Sequence, residues 1–300
     1  MKKLWILPDA GLGNRLNCIY SGLYYRKKFD CELNILWIKD MGCNISFEEI
    51  FEIPEKTNVI TLYNFGRKDG FIIRSLLSKI YFMFIKIKTR YLESVQTRYL
   101  YIDNGEDGVI QTFENNRNVC FKSSGPFCDK NHFAEVRYSL EPRKELLDRA
   151  KTIMEPYKGK KIVGIHIRRT DHTISIENSP LEKFIEFMDQ QEEGTYFYLA
   201  TDEESTRQKL ESRYNVIPRI TYSNQATRRS SDGMKDAYVE MLCLSMCDRI
   251  FGSYGSTFSM ISAYMGQKRL DFAGQDSYWN DEYKLNDCLI ASWMPKTEDK

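Results

Sequence analysis

The sequence predicts an α/β fold of two domains, each built on a parallel sheet. Three observations predict it. The chain opens on an apolar strand, a glycine-containing turn, a helix and a second strand. From residue 162 to 272, short apolar runs alternate regularly with helical stretches. Its 300 residues suit two domains at roughly 100–200 residues each. A strand–helix–strand succession implies parallel pairing, because parallel neighbours need a crossover between them.

The elements follow in order. Residues 4–7 read as a short buried strand. Pro8-Asp-Ala-Gly-Leu-Gly-Asn-Arg15 is turn-forming, and Leu16, Ile19, Tyr20, Leu23 and Tyr24 then mark one face of a helix over 16–29. Residues 32–38 alternate as a second strand. Further strands are expected at 59–63, 99–102 and 119–122, with a turn cluster at 104–108. Between them, 71–92 carries Ile72, Ile73, Leu76, Leu77, Ile80 and Phe84 at helical spacing, interrupted by Arg74, Lys79, Lys86, Lys88 and Arg90. That helix suits either a core or domain-surface position or peripheral association with an anionic membrane. Residues 141–157 form a helix with Pro142 in its first turn.

The second cycle places strands at 162–167, 196–200, 219–222, 249–252 and 268–272. Helices fall at 180–191, from 202 to about 214, at 236–246, and from 255 through 265. The expected domains are 1–150 and 151–300, with the tail from 275 packing back on the first.

Composition removes several function classes. Hydrophobic residues make up 42% and charged residues 28%, and the net charge is +1, so no global field draws the chain to nucleic acid. The eight cysteines are dispersed without a CxxC spacing and read as core thiols of a reducing compartment. Three histidines are too few and too scattered for a zinc site. Lys2-Lys3 precede only four apolar residues before Pro8, too short for a secretory leader, and no run reaches the ~18 apolar residues of a membrane span. A cytoplasmic protein is expected, with the inner face of the membrane as a location if 71–92 lies on lipid.

Chemistry is sought just after each strand, since open parallel sheets bind ligands at the carboxyl ends of their strands. Residues 162–167 end in Arg168-Arg-Thr-Asp171. Adjacent side chains on an extended chain point to opposite faces, so one arginine can fork onto a phosphate while the other is held by packing. Thr201-Asp-Glu203 follows the next strand, where Asp202 either caps a helix or accepts hydrogen bonds from a ribose or base. Ser253-Tyr-Gly-Ser-Thr-Phe-Ser259 follows a third, and hydroxyls with helix-terminal N–H groups suit phosphate oxygens. With the arginine pair it makes a diphosphate cradle. Gly11-Leu-Gly-Asn-Arg15 lacks the third glycine of a dinucleotide fingerprint, because Leu16 stands there, so a nicotinamide-dependent oxidoreductase is disfavoured.

These segments resemble the fucosyltransferase superfamily that includes the α1,6-, α1,2- and protein O-fucosyltransferases. His166-Ile-Arg-Arg-Thr-Asp171 looks like its HxRRxD motif, Tyr198-Leu-Ala-Thr-Asp202 is similar to a strand-end segment of the α1,6 branch, and the stretch from Asp236 to Ser259 resembles its closing motif. Gly11, Gly13 and Asn14 lie in what resembles its N-terminal glycine loop, which would contact the donor or the acceptor from the opposite domain, and they are counted among the expected donor-binding residues. The likeness covers roughly 110 residues of the second half plus that loop, while residues 39–130 match nothing in it. The resemblance implies a GT-B-like pair of Rossmann-type domains facing across a cleft, acceptor side first and donor side second. It implies an inverting glycosyltransferase with GDP-fucose as co-substrate, a glycan acceptor, and neither cofactor nor metal. Its phosphate-binding arginine maps onto Arg168 or Arg169, with Arg169 favoured by analogy. Its acid for base or ribose maps onto Asp236, and its phosphate-binding hydroxyls onto Ser256, Thr257 and Ser259. His166, Asp171 and Asp202 complete the expected donor site. Glu177 is the leading candidate base, displaced by about one position from the α1,6 pattern, with Asp9 and His172 as alternatives. Another GDP-sugar, or a non-catalytic relative that only binds one, are the competing expectations.

Overall fold

The computed structural model describes residues 1–64, 72–94, 105–170, 173–221 and 229–274. The chain divides into two compact units. The first is Met1–Arg143 with Thr227–Lys235, and the second is Lys144–Ala226 with Asp236–Lys300.

The first unit holds a five-stranded parallel sheet. Its elements are β1 (Lys3–Pro8), α1 (Leu12–Phe29), β2 (Glu32–Asp40), β3 (Thr57–Asn64), α2 (Ile72–Lys88), β4 (Arg90–Ser94), α3 (Gly105–Asn115) and β5 (Asn118–Ser123). The strand order is β3-β2-β1-β5-β4. Leu7, Leu36, Leu62, Ile85 and Cys120 bury one face of it. On the other, Phe121 stacks with Phe127 and Phe113, and Phe113 in turn with Phe29 and Tyr25. Neighbouring Cys120 and Phe121 serve opposite faces because successive strand side chains alternate.

Two expectations fail here. Residues 105–108 open α3 instead of forming a turn, and Glu106 and Asp107 sit in its first turn, where acids favour a helix dipole. The helix expected to run to 92 ends at Lys88, and Arg90–Ser94 pairs in parallel with β5. Backbone pairing to a strand far along the chain overrides a local helical pattern. The strand expected at 99–102 lies outside the described residues.

The second unit holds a four-stranded parallel sheet. Its elements are α4 (Lys144–Met154), β6 (Ile162–Ile167), α5 (Thr173–Asn178), α6 (Leu181–Asp189), β7 (Tyr196–Thr201), α7 (Glu204–Glu211), α8 (Ser231–Met246), β8 (Arg249–Ser253), α9 (Thr257–Gly266) and β9 (Arg269–Ala273). The first residues of α8, to Lys235, belong to the first unit. Strand β6 is buried throughout, as a central parallel strand covered on both faces must be. Val163, Ile165 and Ile167 pack with Phe184, Met188, Phe197 and Leu199 on one face. On the other, a Cβ on Gly164 would meet Leu244 of α8 at 2.9 Å.

The order β7-β6-β8-β9 places the site. The chain steps from β6 outward to β7, then returns to lay β8 on the other side of β6. Open α/β sheets hold ligands at such a reversal, beyond the carboxyl ends of the strands on either side, here β6 and β8.

The strand expected at 219–222 is absent among its described residues, 219–221. Residues 215–217 take that place: Phe197 N–H donates to the Asn215 carbonyl at 2.9 Å, and Ile217 N–H to the Phe197 carbonyl at 2.8 Å. Pro218 follows and has no N–H to continue the ladder. Helix α8 begins at Ser231, so Asp236 lies inside it, and a capping role for that residue is removed. Helix α4 starts at Lys144, and Pro142 pairs with Phe51 in an isolated bridge instead of entering its first turn. Cysteines 18, 31, 43, 120, 128, 243 and 247 are buried and form no disulfide among the described residues.

Candidate functional site

The site is built where β6 and β8 end. His166, the fifth residue of β6, points to α9: its Nδ1 lies 2.7 Å from Ser259 Oγ, and its ring stacks on Phe258 at 4.6 Å. Close approach makes this possible. A Cβ on Gly252 of β8 would meet Ser259 Cβ at 2.7 Å, so only glycine lets the first turn of α9 lie against the strand. Gly255, with φ 64°, turns the chain from β8 into α9.

That turn places donors at the carboxyl end of β8. Thr257 begins α9, and the N–H groups of its first turn have no partner within the helix. Ser256 precedes it without a side-chain capping bond, and its buried hydroxyl has no hydrogen-bond partner among the described residues. The Ser259 hydroxyl is instead engaged by His166.

The two arginines separate by the alternation of an extended chain. Ile167 packs with Phe184 of α6, and the Arg169 guanidinium lies on the same side, 6.0 Å from the Phe184 ring. Burial lowers the pKa of Arg169, while Glu203, Glu182 and Asp202 act in the other direction. Arg168 therefore shares the side of His166 and α9. Its N–H donates to Ser253 Oγ at 2.9 Å, which ties the end of β6 to the end of β8.

Asp202, at the end of β7, accepts from Arg169 N–H and from Thr170 Oγ1, both at 2.7 Å. It braces the loop that carries the arginines. Glu177 is exposed on α5. Ser175, on the same helix, donates to the Tyr254 carbonyl at 2.6 Å, and Tyr254 N–H donates to Ser179 Oγ at 2.8 Å, so α5 is stitched to the turn after β8. Asp171 and His172 lie outside the described residues.

Sequence reasoning missed a buried charge cluster behind this rim. Asp236 is 3% exposed and 3.5 Å from Arg149. One helical turn on, Glu240 lies 3.2 Å from Arg219 without hydrogen-bond alignment. Burial raises the Glu240 pKa to about 7, against the opposing pull of Arg219 and Arg207. Arg207 donates to the Leu199 carbonyl and reaches Glu211 at 3.2 Å. Two acids spaced i, i+4 in an otherwise apolar helix were the available signal.

Gly11, Gly13 and Asn14 belong to the first unit. Gly11 caps α1 with an ordinary φ of −72°, and the left-handed residue of the turn is Ala10, with φ 66°. Asn14 Oδ1 is buried without a partner among the described residues. Arg15 is fully buried, bonded to the Ala10 carbonyl at 2.7 Å and to Asp40 at 3.0 Å. Asp9 is paired with Lys122 at 3.5 Å. Among the described residues, no group of His, Cys, Asp or Glu could hold a metal ion.

No protein-family profile matches the chain, and no curated protein matches it. Solved structures do. Fucosyltransferase NodZ from Bradyrhizobium superposes with a TM-score of 0.58 at 14% identity, over 92% of this chain and 96% of that one. NodZ α-1,6-fucosyltransferase crystallised with GDP gives 0.56 at 15%, over 87% and 91%. POFUT1 in complex with GDP-fucose gives 0.52 at 14%, over 91% and 99%. This chain has the fold of these fucosyltransferases. That likeness extends well beyond the roughly 110 residues of the motif match.

Proposed function

We propose that this protein is an inverting glycosyltransferase that moves fucose from GDP-fucose to a hydroxyl of a glycan acceptor, in the synthesis of a surface polysaccharide or another glycan. The observation that carries this reading is the seat between β6 and β8, where a buried Ser256 hydroxyl without a partner among the described residues and the open first turn of α9 lie beside the Arg168 strand end. Oriented N–H groups, a hydroxyl and a guanidinium are what a diphosphate requires. Solved structures of the same fold that hold GDP or GDP-fucose support the choice of nucleotide.

In this reading Arg168, on the α9 side, is the diphosphate clamp, and Arg169, packed over Phe184, positions the loop. That assignment reverses the preference drawn from the family motif. As the bond from the sugar's anomeric carbon to the diphosphate breaks, its electron pair leaves with GDP, and Arg168 with the α9 N–H groups takes the growing charge. The acceptor oxygen attacks from the opposite face and gives its proton to Glu177. Asp236, reinforced by Glu240, recognises the nucleoside. The first unit serves the acceptor side, and its loop of Gly11, Gly13 and Asn14 contributes to donor binding. No metal or cofactor is called for, and the cytoplasm is the proposed location.

The test is a thermal-shift series over GDP, UDP, CMP and NAD, followed by GDP release from GDP-fucose. GDP alone should raise the melting temperature, by mass action on the folded state. Equal stabilisation by UDP overturns the nucleotide assignment. Stabilisation by GDP without release from any GDP-sugar, whatever the glycan acceptor offered, overturns the catalytic one.

A further inference from the structure

Helix α2 is apolar on two opposite sides. At about 100° per residue, Ser75, Phe82 and Ile85 fall on one side. That side packs on the first unit's sheet: Ile85 and Ser75 are buried, and Phe82 joins the cluster around Leu7, Leu62 and Cys120. On the other side, Ile73, Leu76, Leu77, Ile80, Phe84 and Ile87 are 51–74% exposed. A helix laid on a sheet ordinarily turns charged and polar residues outward. Here the outward arc, about 100° wide on a helical wheel, is entirely aliphatic and aromatic. Packing among the described residues of the unit gives no reason for it.

The margins of the arc are basic. On the wheel Arg74 and Lys88 border one edge, and Lys79 and Lys86 the other, and α2 contains no acidic residue. Aromatic rings support three of the four: Arg74 lies over Tyr63 at 5.3 Å, Lys86 over Tyr91 at 4.2 Å, and Lys88 over Phe84 at 5.6 Å. No helix among the described residues is long and apolar enough to cross a membrane. An apolar arc between two cationic rows is the pattern of a helix lying in the headgroup plane, its apolar side sunk ~5–10 Å and its charges among the headgroups.

We infer that α2 docks this protein on an anionic lipid surface. A second copy is the poorer occupant. A two-fold contact between two α2 faces would set cationic margins against cationic margins, whereas anionic headgroups neutralise them. The inference is independent of the transferase reading, since it needs no nucleotide and no turnover.

The test is co-sedimentation of the full chain with phosphatidylcholine vesicles, with and without phosphatidylglycerol. The chain should partition onto the phosphatidylglycerol-containing vesicles and be released by added salt. Ile80→Glu with Phe84→Glu should abolish partition. Lys79→Gln with Lys86→Gln should weaken it about tenfold or more, at roughly 1 kcal/mol per basic residue near a charged surface. All four positions are exposed, so both double variants should keep the wild-type melting temperature, and the lysine pair still tests the idea should the glutamates unfold the helix. Three results overturn it: no binding to anionic vesicles, equal binding to neutral ones, or a concentration-dependent dimer that Ile80→Glu with Phe84→Glu disperses.

Discussion

His166 Nδ1 and Ser259 Oγ meet at 2.7 Å and hold the first turn of α9 against the end of β6. The contact exists because Gly252 has no side chain. Gly252→Ala would set a methyl within 2.7 Å of Ser259 Cβ and push α9 outward. Overpacking of this kind costs about 1–3 kcal/mol. We expect a lower melting temperature together with GDP affinity reduced about tenfold or more, since the oriented N–H groups move with the helix. Ser259→Ala removes the bond without the clash, and should cost only about 1 kcal/mol of stability. Calorimetric titration with GDP on both variants checks this. Unchanged affinity in Gly252→Ala would remove α9 from the donor site.

The adjacent arginines should divide by role. Lysine keeps the charge but loses the fork. Arg168→Lys is expected to cut turnover with GDP-fucose about 100-fold or more, the scale of a lost transition-state donor. Arg169→Lys should act mainly on melting temperature, because its guanidinium packs over Phe184. Steady-state rates and melting curves for the two variants decide it. The reverse pattern would restore Arg169 as the clamp.

Asp236→Asn should lose both binding and stability. The carboxylate is buried beside Arg149, and breaking a buried pair leaves an uncompensated charge at a cost of about 3–5 kcal/mol. Double substitution of Asp236 and Arg149 separates the contributions. If the apolar pair Asp236→Leu with Arg149→Met recovers the melting temperature but not GDP affinity, Asp236 has a recognition role beyond packing. Recovery of both would leave it purely structural.

Glu240 makes stability fall as pH rises. Its folded-state pKa is raised to about 7, against 4.5 for the free side chain. Between those values the unfolded chain gives up a proton that the folded chain keeps, so the destabilisation grows through that window and levels off above it. Over the window it amounts to roughly 3 kcal/mol as a ceiling. Glu240→Gln removes it. The melting temperature of the variant relative to wild type should climb from pH 5 to pH 8. A difference that is flat with pH would show that Glu240 is ionised throughout.

The parallel sheets were legible because their strands are contiguous apolar runs ended by polar residues, as at residues 162–167 and 249–253. Helix starts were less so. The first turns of α1 and α8 contain Gly13 and Gly233, which weaken a helical pattern although packing secures both helices. Strand β4 was hidden because its pairing comes from β5, far along the chain. In the site, residue types at strand ends pointed to an anion seat, but the facing of Arg168 and Arg169 needed the position of Phe184. Arg149, Arg207 and Arg219 converge on the α8 acids from separate elements, and no local pattern announces such a cluster.

The first unit is not a continuous stretch of the chain. Thr227–Lys235 belong to it, and there Ser231 donates to Glu49 at 2.6 Å and the Arg229 carbonyl accepts from Asn44 at 2.8 Å. On the ribosome, residues up to Arg143 therefore emerge well before the segment that completes them. At roughly 5–20 residues per second the wait is on the order of ten seconds. The nascent first unit must persist through it with Glu49 and Asn44 lacking those partners, while most of the second unit is still being made. Cutting the gene at the boundary near residue 143 would make that wait permanent, so the two units are best inherited, expressed and engineered as one piece.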